Sequence, residues 1–145
     1  MDRPRFTLIV AVSADGFLAR EPGHLPQEWT SAEEAAQFRA DLDLGDWQIM
    51  GRTTHQLAPS EIRRRIVFST SRSGWNGSHL WLDPANAAPA ELAEKVAHVH
   101  PMTHGLILGG TGVHDWFLNH NAIDAVQLTV EPVTFGEGLP IFSDQ

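Results

Sequence analysis

Three short stretches place glycines, hydroxyls or arginine directly after apolar runs, and each suits a phosphate-bearing ligand. Gly109-Gly110-Thr111-Gly112 follows Leu106-Ile107-Leu108 and opens a helical pattern. Glycines there let backbone N–H groups approach an anion closely, and a helix amino end adds a favourable dipole. Gly51-Arg52-Thr53-Thr54 offers a cation and two hydroxyls. Ser69-Thr70-Ser71-Arg72 ends again in arginine, whose planar fork matches phosphate. Turns from strand to helix need glycines and caps for structural reasons too, so no single one decides. Three of them, two carrying arginine in an acidic chain, favour a dinucleotide. Neither a P-loop Gly-Lys-Ser/Thr nor the Rossmann glycine spacing is present. Such a ligand must therefore be held in some other way.

The elements that position these turns follow from patterning. Phe6-Thr7-Leu8-Ile9-Val10-Ala11-Val12-Ser13 is β-branched and nearly unbroken, as a strand buried on both faces would be, and Ala14-Asp15-Gly16 ends it in a turn. A loop with Pro22, Gly23 and Pro26 leads to Trp29. Thr30-Ser31-Ala32-Glu33-Glu34 holds two overlapping capping boxes, and the helix it starts should run to about Leu42 with Ala35, Phe38 and Leu42 on a buried stripe. Further strands are expected at residues 47–50, 65–69, 79–82 and 106–108. Helices are expected after Gly51, over residues 89–99 with Pro89 in the first turn, and over residues 113–118. Residues 125–133 alternate Val126, Leu128 and Val130 with polar residues and predict a half-buried strand. Strands alternating with helices imply an α/β fold with a central, mostly parallel mixed sheet flanked by helices, and ligands beyond the strands' carboxyl ends. All three turns lie at that end, and so does Ser13-Ala14-Asp15-Gly16.

The 145 residues show no repeat or linker and read as one domain, residues 1–145. Cysteine is absent, which removes disulfides, thiolate nucleophiles and cysteine–zinc sites. A net charge of −8 argues against a nucleic-acid or anionic-membrane partner. No apolar run approaches the roughly 20 residues of a membrane helix, and the start lacks a convincing cleavable leader, so a cytoplasmic protein is expected.

Taken in order, these motifs resemble the dihydrofolate reductase-like superfamily: dihydrofolate reductases and the pyrimidine reductase domain of riboflavin biosynthesis. The resemblance spans residues 6–142. Ile49-Met50-Gly51-Arg52-Thr53-Thr54 is similar to the family's turn for the cofactor pyrophosphate and 2′-phosphate. Phe68-Ser69-Thr70 is similar to the adenosine-side strand end. Leu108-Gly109-Gly110 is similar to the diglycine, usually joined by a cis peptide, that packs on the cofactor. The resemblance implies NADPH, bound by Gly51, Arg52, Thr53, Thr54, Ser69, Thr70 and the stretch Gly109, Gly110, Thr111, Gly112 and Val113, with Arg52 and Arg72 near the 2′-phosphate.

On the substrate side it implies Trp29 and Glu34, five apart, as the tryptophan and catalytic carboxylate. Phe38 would stack on the pterin, and Thr129 would hydrogen-bond the carboxylate and the substrate's amino group. Ala11 and Arg63 complete that side, Arg63 at the folate carboxylate. Ser13-Ala14-Asp15-Gly16, Ile123-Asp124 and residues 132–142 resemble the riboflavin branch more closely. That branch's Asp-Asp-Pro after the second helix is replaced by Ala58-Pro59-Ser60, and the cysteine-rich deaminase half is missing. The family normally continues beyond the equivalent of Phe142 with one or two more strands. The expectation is therefore an open sheet edge that a second copy could cover, a homodimer.

Reducing a ring C=N bond takes hydride on carbon and a proton on nitrogen. A carboxylate in an apolar pocket can pair with a ring N–H and an exocyclic amine while water near Trp29 delivers the proton. Glu34 lies about 40° around the helix from Phe38 and about 80° from Leu42, at the edge of the expected stripe. Each residue also has a plainer reading. Glu34 can be the capping-box partner of Ser31, Trp29 a loop plug, Thr129 a strand former, Phe38 core, and Asp15 a turn former. Arg63-Arg64-Arg65 can be in part a solvated flank, and His114 can pack or contact cofactor. His98, His100 and His104, with His79 and Asp83 upstream, lack the spacing of a metal site, and no metal is expected. The reading is an NADPH-dependent reductase of a pterin or related pyrimidine, dihydrofolate first and a riboflavin-pathway aminouracil second. The rival is a non-catalytic nucleotide-binding module.

Overall fold

In a computed structural model the chain forms a seven-stranded sheet flanked by helices; the structure describes residues 3–19 and 31–143, apart from the side chains of Glu34 and Ala35. The strands of the main sheet are β1 (Arg5–Ser13), β3 (Trp47–Gly51), β4 (Arg65–Phe68), β5 (Gly74–Asn76), β6 (His79–Leu82), β7 (His104–Ile107) and β8 (Ala125–Glu131), in the order β5-β6-β4-β3-β7-β1-β8. All neighbours are parallel except β5, which returns antiparallel onto β6. A small second sheet pairs β2 (Phe17–Ala19) with β9 (Leu139–Pro140). The helices are α1 (Ala32–Asp41), α2 (Arg52–Leu57), α3 (Pro89–Val96) and α4 (Thr111–Asn119). No helix among the described residues is long and apolar enough to cross a membrane.

The central strands are apolar on both faces because both are covered. On one face Phe6, Leu8, Val10 and Val12 of β1, Ile49, Ile66 and Ile107 pack under Leu92 and Val96 of α3 and Val113 and Phe117 of α4. Phe117 is fully buried, with its ring 4.9 Å from Phe6 and 4.9 Å from Trp116. Opposite that core, α2 covers a more polar layer of Gln48, Arg65, His79 and Trp81 through His55. A short α3 is helped by Pro89 in its first turn and by Glu91, whose carboxylate accepts the Ala88 N–H at 2.8 Å.

Two expectations are corrected. Phe38 is exposed rather than core, and Leu42 is only partly buried in a 3-10 turn after α1. Among the described side chains of α1, Phe38 is the one large apolar group, so that helix has little to bury. On β8 the apolar side chains point outward: Val126, Leu128 and Val130 are 52%, 52% and 56% exposed, because no described element covers that edge. Arg65, expected to open the strand over residues 65–69 although its neighbours read in part as a solvated flank, is a buried strand residue.

Candidate functional site

Parallel alignment brings the carboxyl ends of the strands into one row. Gly51 stands beside Phe68, and Phe68 beside Leu82, so the residues that follow each open together at one edge. The first two predicted turns touch. The Gly51 N–H donates to the Gly109 carbonyl at 2.9 Å, and the Leu108 N–H donates to the Ile49 carbonyl at 2.9 Å. Gly109 has φ +114 and is joined to Gly110 by a cis peptide. A Cβ on Gly109 would sit 3.5 Å from Thr54 Oγ1 in a backbone conformation side chains rarely adopt, so glycine is required. Gly110 and Gly112 face open space, since a Cβ on either would meet nothing within 4 Å.

The helix start completes this cradle. The Val113 and His114 N–H groups both donate back to the Gly110 carbonyl, which leaves the amides of Thr111 and Gly112 ahead of the first helical bonds. Arg52 and Thr53 are exposed, and Thr54 half-buried, at the start of α2 alongside.

The third turn lines an open groove of about 430 Å³ at the end of β4. Ser69 folds its hydroxyl back to accept the Ser71 N–H at 3.2 Å, which shapes the turn. Arg72 lies over the Trp81 ring at 4.2 Å from its centroid, a stacking that holds the guanidinium in place. Lys95, from α3, lines the same groove with Ser69, Thr70 and Arg72. Sequence reading missed Lys95, whose place in α3 gives no sign that it faces this turn. Two cations with several hydroxyls beside a glycine turn that faces open space are groups suited to bind phosphate.

On the other side of the site, Ala11 and Thr129 are register partners on β1 and β8 and both are half-buried. Two residues on, Ser13 partners Glu131. Glu131 is buried, and its carboxylate accepts both the backbone N–H and the hydroxyl of Ser31 at 3.1 Å, anchoring the start of α1 to the end of β8. An acid at a helix amino end is favoured by the dipole. Sequence reading missed this anchor, because the β1–β8 register that sets Glu131 beside Ser13 leaves no mark in local spacing. Helix α1 carries Glu34, whose side chain lies outside the described residues, as does Trp29. Arg63 stands at the amino end of β4, opposite the Ser69 end, in a half-exposed ion pair with Asp43 at 3.6 Å. It is not among the groups brought together at the carboxyl ends.

A strap of chain, residues 133–143, crosses this end of the sheet. Asp15 accepts the N–H groups of Phe135 and Gly136 as well as the Ser13 hydroxyl, and those bonds, Ser13 first, lower its pKa to about 2. That is the turn-forming role. Thr111 Oγ1 donates to the Pro140 carbonyl at 2.6 Å, and His114 Nδ1–H to the Ile141 carbonyl at 2.9 Å. His114 is 1% exposed, its Nε2 has no partner among the described residues, and burial lowers its pKa. The strap thus ties the Ser13–Gly16 turn to the diglycine helix.

Beneath α2 lies a polar cluster that sequence reading did not assemble. Arg65 donates to Gln48 Oε1 at 2.9 Å, to the Ala58 carbonyl at 2.7 Å and to His55 Nδ1 at 3.0 Å. Because arginine only donates, His55 must present a lone pair at Nδ1 and is neutral. The His79 ring meets His55 edge-on at 4.8 Å. Burial first, then Arg65, His79 and Arg72, lower the pKa of His55; burial likewise lowers that of His79.

No protein-family model matches the chain. A Bacillus subtilis (strain 168) protein, the uncharacterised YwjB, is 28% identical, with 94% of this chain and 82% of that protein covered. Among solved structures, a riboflavin biosynthesis protein from Shewanella sp. PV-4 superposes with a TM-score of 0.73 at 19% identity, covering 96% of this chain and 83% of that one. Dihydrofolate reductase from Enterococcus faecalis, complexed with NADP(H), gives 0.67 at 19% identity over 94% of this chain and 76% of that one. RibD from Acinetobacter baumannii gives 0.75 at 14% identity over 97% of this chain, which spans 49% of that protein's length. The sheet order, the diglycine between β7 and α4, and these superpositions agree: the chain has the dihydrofolate reductase-like fold.

Proposed function

We propose that the protein is a cytoplasmic NADPH-dependent reductase of a pterin or related pyrimidine, with dihydrofolate the first substrate to test. The observation that carries this reading is the junction of two phosphate-suited turns, Gly51 N–H to Gly109 O, beside a groove holding Arg72 and Lys95. Gly110, Thr111 and Gly112 would hold the pyrophosphate with backbone amides, and Arg52, Ser69, Thr70, Arg72 and Lys95 the adenosine phosphate. A bound nicotinamide supplies a hydride to the ring carbon. The chain's own part is to hold the ring and favour its protonation. Glu34 is assigned to pair with the ring N–H and exocyclic amine, Thr129 to support that contact, and exposed Phe38 to cover the ring face.

A second reading, an aminouracil reductase of riboflavin biosynthesis, is favoured by one feature. The Ser13–Gly16 turn and the strap that resemble that branch are bonded to each other through Asp15. Calorimetric titration with NADPH and NADH tests the cofactor first. Tight binding with a preference for NADPH supports the site, and no binding of either removes the reductase reading. Turnover with dihydrofolate or with the aminouracil then separates the substrates. Glu34→Gln should keep NADPH affinity and lose most turnover, whereas unchanged turnover would remove Glu34 from the chemistry. Cofactor binding without oxidation by any such ring would leave a nucleotide-binding module.

A further inference from the structure

Three charged side chains line the groove at the end of β4, and two of them are the cations Arg72 and Lys95. The third is an acid, the half-buried Asp83. It follows β6 directly in extended backbone, φ −87 and ψ 118, so period two sets it on the face of Trp81. That ring carries the Arg72 guanidinium at 4.2 Å from its centroid. Ser69 stands at the neighbouring strand end, its N–H donating to the Leu82 carbonyl at 2.9 Å. Among the described residues, Asp83 forms no ion pair with Arg72 or Lys95. Each group has another support: the guanidinium stacks on Trp81, and Asp83 Oδ1 accepts the Ala85 N–H at 2.9 Å. Opposite charges thus stand apart around an open space of about 430 Å³, and Asp83 Oδ2 accepts no bond among the described residues.

A bare phosphate is a poor match for that arrangement, because the cations attract it and the carboxylate repels it. A ligand that brings both a phosphate and a hydrogen-bond donor satisfies all three groups. A ribonucleoside phosphate is such a ligand: its sugar hydroxyls and, in adenosine, its exocyclic amine are donors close to the phosphate. We propose that Asp83 determines specificity in this groove, its Oδ2 accepting a hydrogen bond from the nucleoside while Arg72 and Lys95 hold the phosphate. This role rests on the nucleotide reading of the groove and deepens it, since the nucleoside is then read as well as its charge. Side chains fixed before the ligand arrives also lower the cost of ordering them on binding.

Asp83→Asn keeps an oxygen for the Ala85 N–H and puts a donor in place of Oδ2, so the turn is retained while the acceptor is lost. Calorimetric titration of both proteins with adenosine 2′,5′-bisphosphate and with inorganic pyrophosphate should give shifts of opposite sign. The nucleotide should bind the variant about tenfold more weakly and pyrophosphate about twofold more tightly, since acceptor and repulsion disappear together. Asp83→Ser also caps the turn but is too short to reach the ligand, and it should show the same pair of shifts. The hypoxanthine analogue of NADPH, which lacks the amine, locates the donor. Wild-type affinity equal to that for NADPH assigns a sugar hydroxyl, and a loss confined to the wild type assigns the amine. Where the wild type binds NADPH, the role of Asp83 is overturned by nucleotide affinity that is unchanged or raised in both variants. Nucleotide affinity that falls together with pyrophosphate affinity overturns it too, and either result leaves the nucleotide reading standing. A wild type that binds neither NADPH nor the bisphosphate overturns both.

Discussion

Acidification should weaken the fold through the cluster beneath α2, and the size of the effect can be worked from the site. His55 and His79 are 9% and 8% exposed, and burial holds both below the ordinary histidine value of 6.5. Protonating His55 would also set an N–H at Nδ1 against the Arg65 N–H it now accepts at 3.0 Å, two donors facing each other. Among the described residues the charged groups facing the pair are Arg65 and Arg72, both cations, while the Ser60 and Arg63 carbonyls near His79 partly favour its charged form. Lowered folded-state values mean that the unfolded chain binds more protons below 6.5. The stability contribution is therefore complete above 6.5 and is lost as pH falls from there toward the folded-state values. One unit below 6.5 each histidine can cost up to about 1.4 kcal/mol, and the pair about 2.8 kcal/mol. Urea unfolding between about pH 7.5 and 5.5 should show the midpoint falling only below about pH 6.5. His55→Gln keeps an acceptor for Arg65 and removes one titrating group, so it should flatten the slope by at most about one proton. A wild-type midpoint that is flat over this range, or a His55→Gln slope equal to wild type, would refute the reasoning. Because α2 begins at Arg52, directly after Gly51, the same loss should loosen the candidate cofactor turn.

The groove makes a selectivity prediction: Arg72→Ala or Lys95→Ala should weaken NADPH binding by roughly tenfold each while leaving NADH within about twofold, given one charge-assisted contact in a partly solvated site. Equal losses for both nucleotides, measured by fluorescence titration, would place the 2′-phosphate elsewhere. Glu131→Gln should destabilise the protein by about 1 kcal/mol, because the Ser31 N–H and hydroxyl would then bond a neutral amide oxygen and the helix start would lose its nearby charge. An unchanged urea midpoint would show that the anchor adds nothing.

The architecture was legible where local pattern and tertiary setting agree. Runs such as Phe6-Thr7-Leu8-Ile9-Val10 are apolar on both sides of the pleat, and a strand covered on both faces is the arrangement that buries them all. The glycines after β3 and β7 mark their turns for the same reason that they suit a ligand: backbones meet there, as Gly51 meets Gly109. Short strands were missed when pairing rather than composition forms them. Gly74-Trp75-Asn76 is a strand because it lies along β6, and Phe17–Ala19 because residues 139–140 return beside it.

The reading of Phe38 failed for the opposite reason. A 3.6-residue period says which side of a helix is apolar, and α1 has too few large apolar side chains for that side to be pulled inward. The alternation of β8 was read correctly as alternation and wrongly as burial. Period two places Val126, Leu128 and Val130 together on one face, but whether that face is covered depends on what stands next in the sheet, and no property of those residues encodes it. The same limit governs the site. Lys95 and Ser69 are 26 positions apart in the chain yet share a groove, and Arg65 and His79 meet His55 from two different strands. Side chains that converge from separate elements leave no spacing to find. What sequence can offer is the row of strand ends where convergence has to occur, and here that row holds the glycine junction and the cationic groove while Arg63, at the other end of β4, lies outside it.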